Sequence, residues 1–409
     1  MALELSRRHE VTLAAPAARP TLRDGIPIIP SERRRVVQAA YAADAVVAPR
    51  IPPYLYAALF ASPTLLVADM YNPAEAERGQ NRSGLTAQLT LAAIRTNDLL
   101  QLKFADIVLC AVEAQRRGFA ARIEALAGRL PRRPLLRVVP FGIDNEAPRP
   151  STSLPIRTRF KPIAADDTVV LWWGNVWRWF DAETALRAFA EVARENPKVK
   201  LVFTGGRPPR SEARELDDTN AARNLARSLG LLNKCVHFVD DWVPHSERQD
   251  YLQEADVGLT LHRDTPEREV AARGRYMDYL WARLPCVLGE GDELADRFAA
   301  AGFAATVRPG DVPATARALR RLIDDPEKRG VARGAAGPLL EAFRWSTAVA
   351  PLLDALEEID GQDPVRAGAR GSLLAALGHA YSRRLALEAV SAASTAFDAA
   401  RRDRERSPA

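Results

Sequence analysis

Short runs of apolar residues alternate with longer stretches of helical periodicity along most of the chain. The first half holds strand-like runs at residues 9–16, 44–49, 64–69, 106–112 and 136–144. The second half holds another set at residues 168–174, 199–206, 235–240, 257–262, 284–292 and 305–310. The stretches between these runs, such as residues 85–104, have the apolar spacing of helices. Strands that alternate with helices indicate parallel sheets, so we predict an α/β protein of two doubly wound Rossmann-like domains.

A segment rich in proline, serine and threonine interrupts this alternation at residues 146–167, and its composition is typical of a linker. We therefore predict an N-terminal domain at residues 1–145, a second domain at residues 168–345, and C-terminal helices with a basic tail at residues 346–409. In the tail, a loose three-to-four spacing predicts a helix that packs or oligomerises, with a membrane anchor as the alternative. The apolar residues of that helix are Leu374, Leu377, Tyr381, Leu385 and Val390.

The composition is that of a globular protein. The 409 residues are 47% hydrophobic and 27% charged, which suits two domains of ordinary size. No apolar run is long enough to span a bilayer and nothing marks an export leader, so we expect a cytoplasmic location. The three cysteines lie in or beside strand-like runs without metal-ligand spacing, which favours reduced core thiols.

Most of the basic residues behind the net charge of +5 are arginines. Arginine binds phosphate through a planar fork, so nucleic acid, anionic lipid or a phosphorylated small molecule are all conceivable partners. No nucleic-acid-binding motif supports the first of these. The basic run at residues 33–35 fits a lipid phosphate, although a solvated helix face explains it more simply.

The stretch WWGNVWRWFD at residues 172–181 ends a predicted strand and leads into a predicted helix. Asp181 is a good N-cap for that helix. Backbone amides at a helix start can bind a phosphate, and Gly174 allows close approach, so this turn is a candidate diphosphate site. One glycine is a weak signal, and a tight turn capped by core aromatics is the competing interpretation.

A second charged segment follows about ninety residues later, at residues 267–292. Arg273 and Arg275 lie beside a predicted helix N-terminus, where guanidinium groups and the helix dipole both favour a pyrophosphate. Arg275 and Asp278 are three residues apart and can share a helix face. A solvated helix with ordinary ion pairs explains the spacing equally well.

These segments together resemble the donor domain of GT-B glycosyltransferases of family 4 (group 1), in particular a subgroup with a Trp-rich turn after the first strand of that domain. The matching segments are WWGNVWRWFDAETALRAF, LVFTGG, VHFVDDWVPHSERQDYLQEADVGLTLHRD and EREVAARGRYMDYLWARLPCVLGEGD. In the first half, DMYNPAEAE, ADIVLCAVEAQRRGF and VVPFGID fit the same subgroup.

The resemblance implies retaining, metal-independent transfer of a sugar from a nucleoside-diphosphate sugar to a glycan or lipid-linked acceptor. Such enzymes act in cell-surface polysaccharide or glycoconjugate biosynthesis. Metal independence agrees with the absence of any Asp-x-Asp sequence, and we expect neither cofactor nor metal. Arginines and backbone amides must then meet the charge of the leaving group. Contact with the inner face of the membrane is an open possibility, and the oligomeric state is not predicted.

The resemblance also suggests site residues. Asn175 and Phe180 stand where many relatives carry diphosphate-binding Arg and Lys. The predicted catalytic residues are Asp69, at the place of an N-domain histidine, and Glu267, the nearest acid to the first of two paired glutamates. The predicted donor diphosphate and sugar ligands are Gly174, Asn175, Arg178, Arg273 and Arg275. The predicted ribose or nucleotide ligands are Asp278 and His262, and the acceptor-side cleft is assigned to Trp177, Trp179 and Tyr71.

One departure from the family concerns the N-terminus, where the sequence resembles the end of the family's first helix. The first strand and its Gly-rich turn are thus expected to be missing, through a misassigned start codon or a real reduction of the enzyme. Two alternatives therefore stay open: a degenerate GT-B module that binds without turnover, and a sugar-nucleotide epimerase. A nicotinamide oxidoreductase is disfavoured because no GxGxxG follows a strand.

Overall fold

A computed structural model describes residues 1–16, 19–79, 84–126, 133–206, 217–359, 361–362, 364–365, 373–378 and 380–382. The chain divides into two compact units. The first combines Met1–Pro140 with Val349–Ala409, and the second is Phe141–Ala348. The second unit is therefore an insertion in the sequence of the first.

The first unit contains two sheets in its described residues. A small mixed sheet has the order β1-β3-β2 and consists of β1 (Leu13–Ala15), β2 (Thr21–Arg23) and β3 (Ile26–Pro30). The larger sheet is parallel throughout, in the order β4-β5-β6-β7. Its strands are β4 (Ala45–Pro49), β5 (Leu65–Asp69), β6 (Ile107–Cys110) and β7 (Leu135–Val138).

The second unit is built on a parallel sheet in the order β10-β9-β8-β11-β12-β13. Its strands are β8 (Thr168–Trp173), β9 (Val199–Thr204), β10 (Val236–Val239), β11 (Val257–Thr260), β12 (Cys286–Gly289) and β13 (Ala304–Val307). The chain adds strands on one side of β8 and then crosses to the other side at β11. This doubly wound order places a topological switch point between β8 and β11.

Helices join the strands in both units. The first unit has α1 (Ala2–Leu5), α2 (Arg33–Tyr41), α3 (Pro53–Ala58), α4 (Ala74–Gly79), α5 (Leu85–Phe104) and α6 (Glu113–Ala125). The second unit has α7 (Pro155–Arg159), α8 (Ala182–Glu195), α9 (Asp217–Ser228), α10 (Arg248–Glu254), α11 (Pro266–Val270), α12 (Gly274–Trp281), α13 (Glu293–Ala300), α14 (Val312–Ile323), α15 (Pro326–Phe343) and α16 (Trp345–Ala348). The chain then returns to the first unit as α17 (Ala350–Ile359).

The parallel sheets confirm the α/β prediction, and several of their strands, such as β6, β9 and β11, are buried along their whole length. Every residue of β9 is buried, including Lys200, whose ammonium group donates to the Pro197 carbonyl (2.6 Å) and lies 3.4 Å from Asp167. Continuous apolar runs are typical of such strands. The cap of α8 is also as predicted, since Asp181 Oδ1 accepts a hydrogen bond from the Thr184 amide (3.0 Å).

The segment predicted as a strand at residues 9–16 differs from the others. Only Leu13–Ala15 is extended, and it lies in the small sheet beside β3. The strands β2 and β3 were not predicted. Every residue of the short strand β2 is exposed, and β3 is apolar but contains Pro27 and Pro30, which weaken a strand signal.

The segment predicted as a linker belongs to the second unit and contains the short helix α7. The Glu254 carboxylate accepts hydrogen bonds from the amides of Ile156 (2.6 Å) and Arg157 (2.8 Å) at the start of this helix. The Arg157 guanidinium donates to the same carboxylate (3.1 Å). A buried anion thus fixes a segment whose composition gives no helical signal.

The second unit starts and ends at adjacent points. The Ile143 amide donates to the Phe343 carbonyl (2.7 Å), and the Trp345 amide donates to the Ile143 carbonyl (3.0 Å). Gly142 lies against the Trp345 ring, where a β-carbon would be only 2.2 Å from Cδ2. Glycine is therefore needed at this position for steric reasons.

The C-terminal helix predicted from residue 372 onward is described only in part. Residues 373–378 and 380–382 are helical. Leu377 is buried in a core cluster of the first unit, Tyr381 packs against it, and Leu374 is exposed. A packing role is thus observed for this short stretch. Leu385, Val390 and the basic tail lie outside the described residues.

Candidate functional site

Several loops of the second unit meet at the carboxyl edge of its sheet, beside the switch point between β8 and β11. Ligands of open α/β sheets bind at this edge because the chain diverges there and leaves a crevice. The loop after β8 starts with Gly174, and the residues after β11 include His262. The helices α11 and α12, which follow β11, carry Glu267 and Arg275.

The turn after β8 depends on Gly174, whose φ of +83° lies in the left-handed region. Its amide is already occupied, because it donates to Thr204 Oγ1 (3.1 Å). In the described conformation this amide is thus not free for a phosphate, and the role of Gly174 in donor binding stays a prediction. Glycine is favoured here by its backbone conformation, and a β-carbon would only touch Arg275 Nη2 at an ordinary contact distance of 3.5 Å.

Asn175 holds the same turn against the end of β9. In the amide orientation that suits its neighbours, the side-chain nitrogen donates to the carbonyls of Gly205 (3.0 Å) and Gly206 (3.2 Å). Its backbone carbonyl accepts a hydrogen bond from Arg275 Nη2 (2.7 Å). Asn175 thus organises the turn through both its side chain and its backbone.

The Trp-rich stretch then folds back onto the exit of β11. The Asp181 amide donates to the Leu261 carbonyl (2.9 Å), and the Arg263 amide donates to the Trp179 carbonyl (3.0 Å). Phe180 therefore lies opposite His262 in a single antiparallel bridge, with ring centroids 5.2 Å apart. This pairing brings two segments about eighty residues apart into one site.

Arg275 is the principal cation of the site. Its Cζ lies 3.8 Å from the centroid of the Phe180 ring, a cation–π contact. Burial lowers the pKa of its guanidinium to about 10, which still leaves the group charged at neutral pH. Its Nη1 is buried and has no hydrogen-bond partner among the described residues. In that same part of the chain, no carboxylate lies within ion-pair distance of Arg275.

Arg273 is neutralised by Glu267, unlike Arg275. Its Nη1 and Nη2 donate to the two carboxylate oxygens of Glu267, at 2.7 and 2.9 Å, and both side chains are buried. This bidentate pair uses one lone pair of each oxygen. The charge that the site can offer to an anion therefore comes chiefly from Arg275.

His262 is fully buried beside these cations. Burial, together with the charges of Arg273, Arg275 and Arg268, holds its pKa well below the ordinary value, so the imidazole is neutral. Its Nδ1 lies 3.4 Å from the Tyr276 hydroxyl. Its Nε2 has no hydrogen-bond partner among the described residues.

Tyr276 links His262 to Asp292, the N-cap of α13. The hydroxyl donates to Asp292 Oδ2 (3.1 Å), which leaves its oxygen to accept from His262 Nδ1. Burial raises the pKa of Asp292 to about 6, so this carboxyl is largely ionised at pH 7. The arrangement favours the Nδ1–H tautomer, with Nε2 as an acceptor.

The position of Asp278, three residues after Arg275, had suggested that the two side chains would pair. In the structure they do not. Asp278 Oδ2 accepts a hydrogen bond from Trp173 Nε1 (3.0 Å), and its Oδ1 accepts one from Arg248 Nη1 (3.2 Å). Arg275 instead turns towards Phe180, because the face of that ring lies directly beside its guanidinium. The carboxylate of Asp278 is half-buried, and burial raises its pKa while Arg248 lowers it.

The other tryptophans of the stretch have two kinds of environment. Trp172 is fully buried in the core, as predicted for one of the first pair. Trp177 and Trp179 are half-buried and stack on each other with centroids 5.8 Å apart. Arg178, between them, is exposed. The stacked pair thus shows part of its aromatic surface to solvent, which is consistent with a site wall.

The remaining predicted residues lie at the carboxyl edge of the first unit's parallel sheet. Asp69 ends β5, and burial raises the pKa of its carboxyl to about 6, although the Tyr71 amide and Arg50 oppose the shift. The Tyr71 carbonyl accepts a hydrogen bond from Gln115 Nε2 (2.8 Å). Arg50, at the end of β4, donates to Asp98 (2.7 Å) and to the Asn72 carbonyl (2.7 Å).

The described residues contain neither a metal-ligand cluster nor a membrane-spanning helix. No three side chains of His, Cys, Asp or Glu are grouped there in a way that could hold a metal ion. Nor does any helix in that part of the chain combine the length and the hydropathy needed to cross a bilayer.

Comparison with known proteins relates this geometry to a family. Residues 167–325 match the model of "Glycosyl transferases group 1". The matched residues all lie within the second unit, where the sequence motifs had indicated a glycosyltransferase donor domain. No curated protein sequence is significantly similar to the chain.

Solved structures with the same fold extend the comparison to both units. HepE from Anabaena, in complex with UDP and glucose, is 19% identical with a TM-score of 0.61 and covers 80% of this chain and 81% of its own. A UDP-forming α,α-trehalose-phosphate synthase from Burkholderia vietnamiensis is 13% identical with a TM-score of 0.63, covering 88% and 94%. Sucrose-phosphate synthase from Thermosynechococcus elongatus is 15% identical with a TM-score of 0.61, covering 88% and 91%. These likenesses confirm the prediction of a GT-B fold with two Rossmann-like domains.

Sequence reasoning missed three residues of this site. Tyr276 and Asp292 act on His262 through the fold, and Arg248 binds Asp278 from thirty residues away. Only Asp292 left a signal, because an aspartate before a helical run is a recognisable N-cap. No spacing rule connects the other two to their partners.

Proposed function

We propose that the protein is a glycosyltransferase that moves a sugar from a nucleoside-diphosphate sugar to a glycan or lipid-linked acceptor. We further propose that transfer is retaining and needs no metal, and that it serves cell-surface polysaccharide or glycoconjugate biosynthesis. The observation that carries the proposal is Arg275, a charged guanidinium with no carboxylate partner among the described residues, held beside the Gly174 turn at the switch point. A diphosphate is the ligand whose charge and geometry suit such a group.

The donor would be held by two kinds of group in the second unit. In the proposal, Arg275 binds the diphosphate and Arg178 adds a second, exposed cation. Arg273 is oriented by Glu267, whose free lone pairs can still accept sugar hydroxyls. His262 Nε2 accepts a further hydroxyl, and Asp278 accepts one from the ribose. The family match over residues 167–325 and the UDP bound to HepE support a nucleotide sugar as donor.

The acceptor side is assigned to Trp177, Trp179 and Tyr71, and catalysis to Asp69. Trp177 and Trp179 present stacked rings, and apolar ring faces commonly pack against sugars. Asp69, on the first unit, has a pKa near 6 and could receive a proton from an acceptor hydroxyl at neutral pH. Tyr71 follows Asp69 two residues later in the chain. A lipid-linked acceptor would bring the protein to the inner face of the membrane.

The chemistry of the donor set supports the proposed metal independence. Arginines and a neutral imidazole surround the site, and such groups bind phosphate oxygens or hydroxyls directly. The charge on the leaving diphosphate would then be met by Arg275 and, in part, by Arg273. A chelator should therefore leave turnover unchanged, and a loss of turnover with EDTA would contradict this part of the proposal.

The first test is nucleotide binding by thermal shift on the full chain, with UDP, GDP and ADP. A bound nucleotide raises the melting temperature through linkage. Arg275→Ala should abolish the rise, since it removes the charge without leaving a buried carboxylate unpaired. Arg273→Ala is a poorer probe because it strands Glu267 in the core. Arg187→Ala, on an exposed face of α8, is the matched control and should respond like the parent protein.

The second test is turnover. The nucleotide that binds is supplied as its sugar diphosphate, and release of nucleoside diphosphate is measured with candidate glycan and lipid-linked acceptors. Retention is checked from the anomeric configuration of the product. No thermal shift with any nucleotide would refute the donor site. Binding without release across all acceptors would favour the degenerate, non-catalytic module.

A further inference from the structure

Arg248, the first residue of α10, is bound on three sides within the second unit. Its Nη1 donates to Asp278 Oδ1 (3.2 Å), and its Nη2 donates to the carboxylate of Asp144. Its Cζ lies 4.1 Å from the centroid of the Trp281 ring. The Arg248 side chain is only 15% exposed, so solvent screens these contacts weakly.

The partners of Arg248 are themselves fixed. Trp281 Nε1 donates to the Glu146 carbonyl (2.8 Å), which sets the orientation of the ring beneath the guanidinium. Asp144 and Glu146 belong to the segment that opens the second unit. Arg248 therefore joins three parts of the chain: this opening segment, α10 and α12.

This arrangement fixes the orientation of the Asp278 carboxylate. Trp173 Nε1 holds Oδ2 and Arg248 holds Oδ1, so both oxygens are fixed and the plane of the carboxylate is set. An ionised carboxylate has about four lone-pair sites, and these two bonds use only two of them. The side chain stays 24% exposed. Asp278 can thus accept hydroxyl groups from a ligand while its protein contacts are kept.

We propose that Arg248 is a positioning residue for the donor nucleotide: it fixes the Asp278 carboxylate so that it accepts a hydroxyl of the ribose. The inference rests on the proposed function, and it adds a residue that binds no substrate itself. Without the guanidinium, Trp173 alone would hold the carboxylate, which could then rotate about its remaining bond. The selectivity for a ribose hydroxyl would fall more than the affinity for the diphosphate.

The test compares UDP with 2′-deoxy-UDP and 3′-deoxy-UDP by calorimetry on the full chain, or the corresponding forms of GDP or ADP if one of these binds best. A hydroxyl bound to a charged acceptor is worth roughly 10- to 100-fold in affinity, so the parent protein should discriminate against at least one deoxy form by that factor. Arg248→Gln should reduce the discrimination to about threefold or less and weaken binding of that deoxy form little. Arg248→Lys keeps the charge but loses the fork, and should give an intermediate value.

Arg320→Gln is the matched control. Arg320 on α14 donates a hydrogen bond of 2.8 Å to Glu195 at the end of α8. This variant should keep the parent discrimination. A merely structural effect of Arg248→Gln would weaken the ribose and deoxyribose forms equally, so the ratio of the two affinities separates the two roles.

The outcomes distinguish this inference from the proposed function. If no nucleotide binds the parent protein, the donor site itself is refuted. If the parent binds but does not discriminate, or if Arg248→Gln keeps the full discrimination, only the role of Arg248 is overturned. Should Arg248→Gln fail to fold, Asp144→Asn loosens the same guanidinium from its exposed side. Its discrimination should then drop severalfold, and an unchanged ratio would also overturn the inference.

Discussion

Arg275 and Arg50 lie at equivalent places, each near the carboxyl edge of a parallel sheet, and they differ in what surrounds them. Arg50 has a buried carboxylate, Asp98, at 2.7 Å and further bonds to Asn72. Arg275 has one backbone carbonyl, an aromatic face and a buried nitrogen without a partner. The hydrogen-bonding groups of Arg50 are used within the fold, whereas Arg275 keeps a donor for a ligand.

This difference separates a structural cation from a candidate ligand-binding one. A buried guanidinium that already has its carboxylate gains little from a second anion, because its charge and donors are used. One that lacks a counter-ion carries an electrostatic cost that an anionic ligand would relieve. The anion site is therefore expected on the second unit, and the edge of the first unit is expected to bind a neutral or hydroxylated group.

The largest effect should come from Arg50→Ala, which leaves Asp98 buried with only Arg122 nearby, at 3.9 Å. We expect a loss of about 3 to 5 kcal/mol in the stability of the first unit. All seven tryptophans lie at positions 172 to 345, so tryptophan fluorescence reports on the second unit, and circular dichroism reports on both. Urea unfolding should show the loss by circular dichroism while the fluorescence transition and the nucleotide response stay unchanged. A shifted fluorescence transition would contradict the comparison.

A smaller effect is expected on the stability of the second unit at low pH. His237 is buried beside Phe160, and burial lowers the pKa of its imidazole to about 4. A lowered folded pKa gives stability that is present above the unfolded value, near 6.5, and lost as pH falls towards 4. Between pH 7.5 and pH 5, the free energy of unfolding measured by fluorescence should fall by about 1 to 2 kcal/mol more in the parent protein than in His237→Phe. An equal pH dependence in parent and variant would show that the imidazole is not responsible.

The smallest effect tests Asp69 in the first unit, where the pH dependence has the opposite sign. Its folded pKa is raised to about 6, so its stabilising contribution is complete below the unfolded value of 3.8 and is lost as pH rises through 6. Asp69→Asn keeps an acceptor for the Tyr71 amide and removes the charge. The variant should be more stable than the parent by about 1 kcal/mol at pH 7.5, after allowance for partial exposure, and this advantage should vanish near pH 4. Circular dichroism at the two pH values measures it, and a variant less stable at pH 7.5 would contradict the assignment.

The sequence predicted the parts of this fold that follow from local pattern. Continuous apolar runs such as β9 identify strands buried on both faces, and Asp181 identifies the start of α8. The Gly174 turn and Arg275 were also recognised, because a strand followed by a helix places them at the ligand-binding edge of any doubly wound sheet. These features depend on local sequence or on the order of strands and helices, so a single sequence is enough to predict them.

What escaped prediction depends on long-range contacts. Asp278 was expected to share a helix face with Arg275, yet Arg248 and Trp173 hold it from other elements. The Gly174 amide looked available until the fold placed Thr204 opposite it. In both cases the partner is set by a hydrogen bond that stabilises by about 1 kcal/mol. Residue spacing in the sequence does not predict such a bond.

The bridge between Ile143 and the pair Phe343 and Trp345 has a consequence for modularity. The first and last residues of the second unit lie close together. Such a unit can be inserted into another domain, or removed from it, without leaving distant chain ends to be joined. Closing a loop of about 200 residues costs little more than closing one of half that length, so the insertion is tolerated entropically. The second unit could thus be exchanged between relatives as one contiguous piece of sequence.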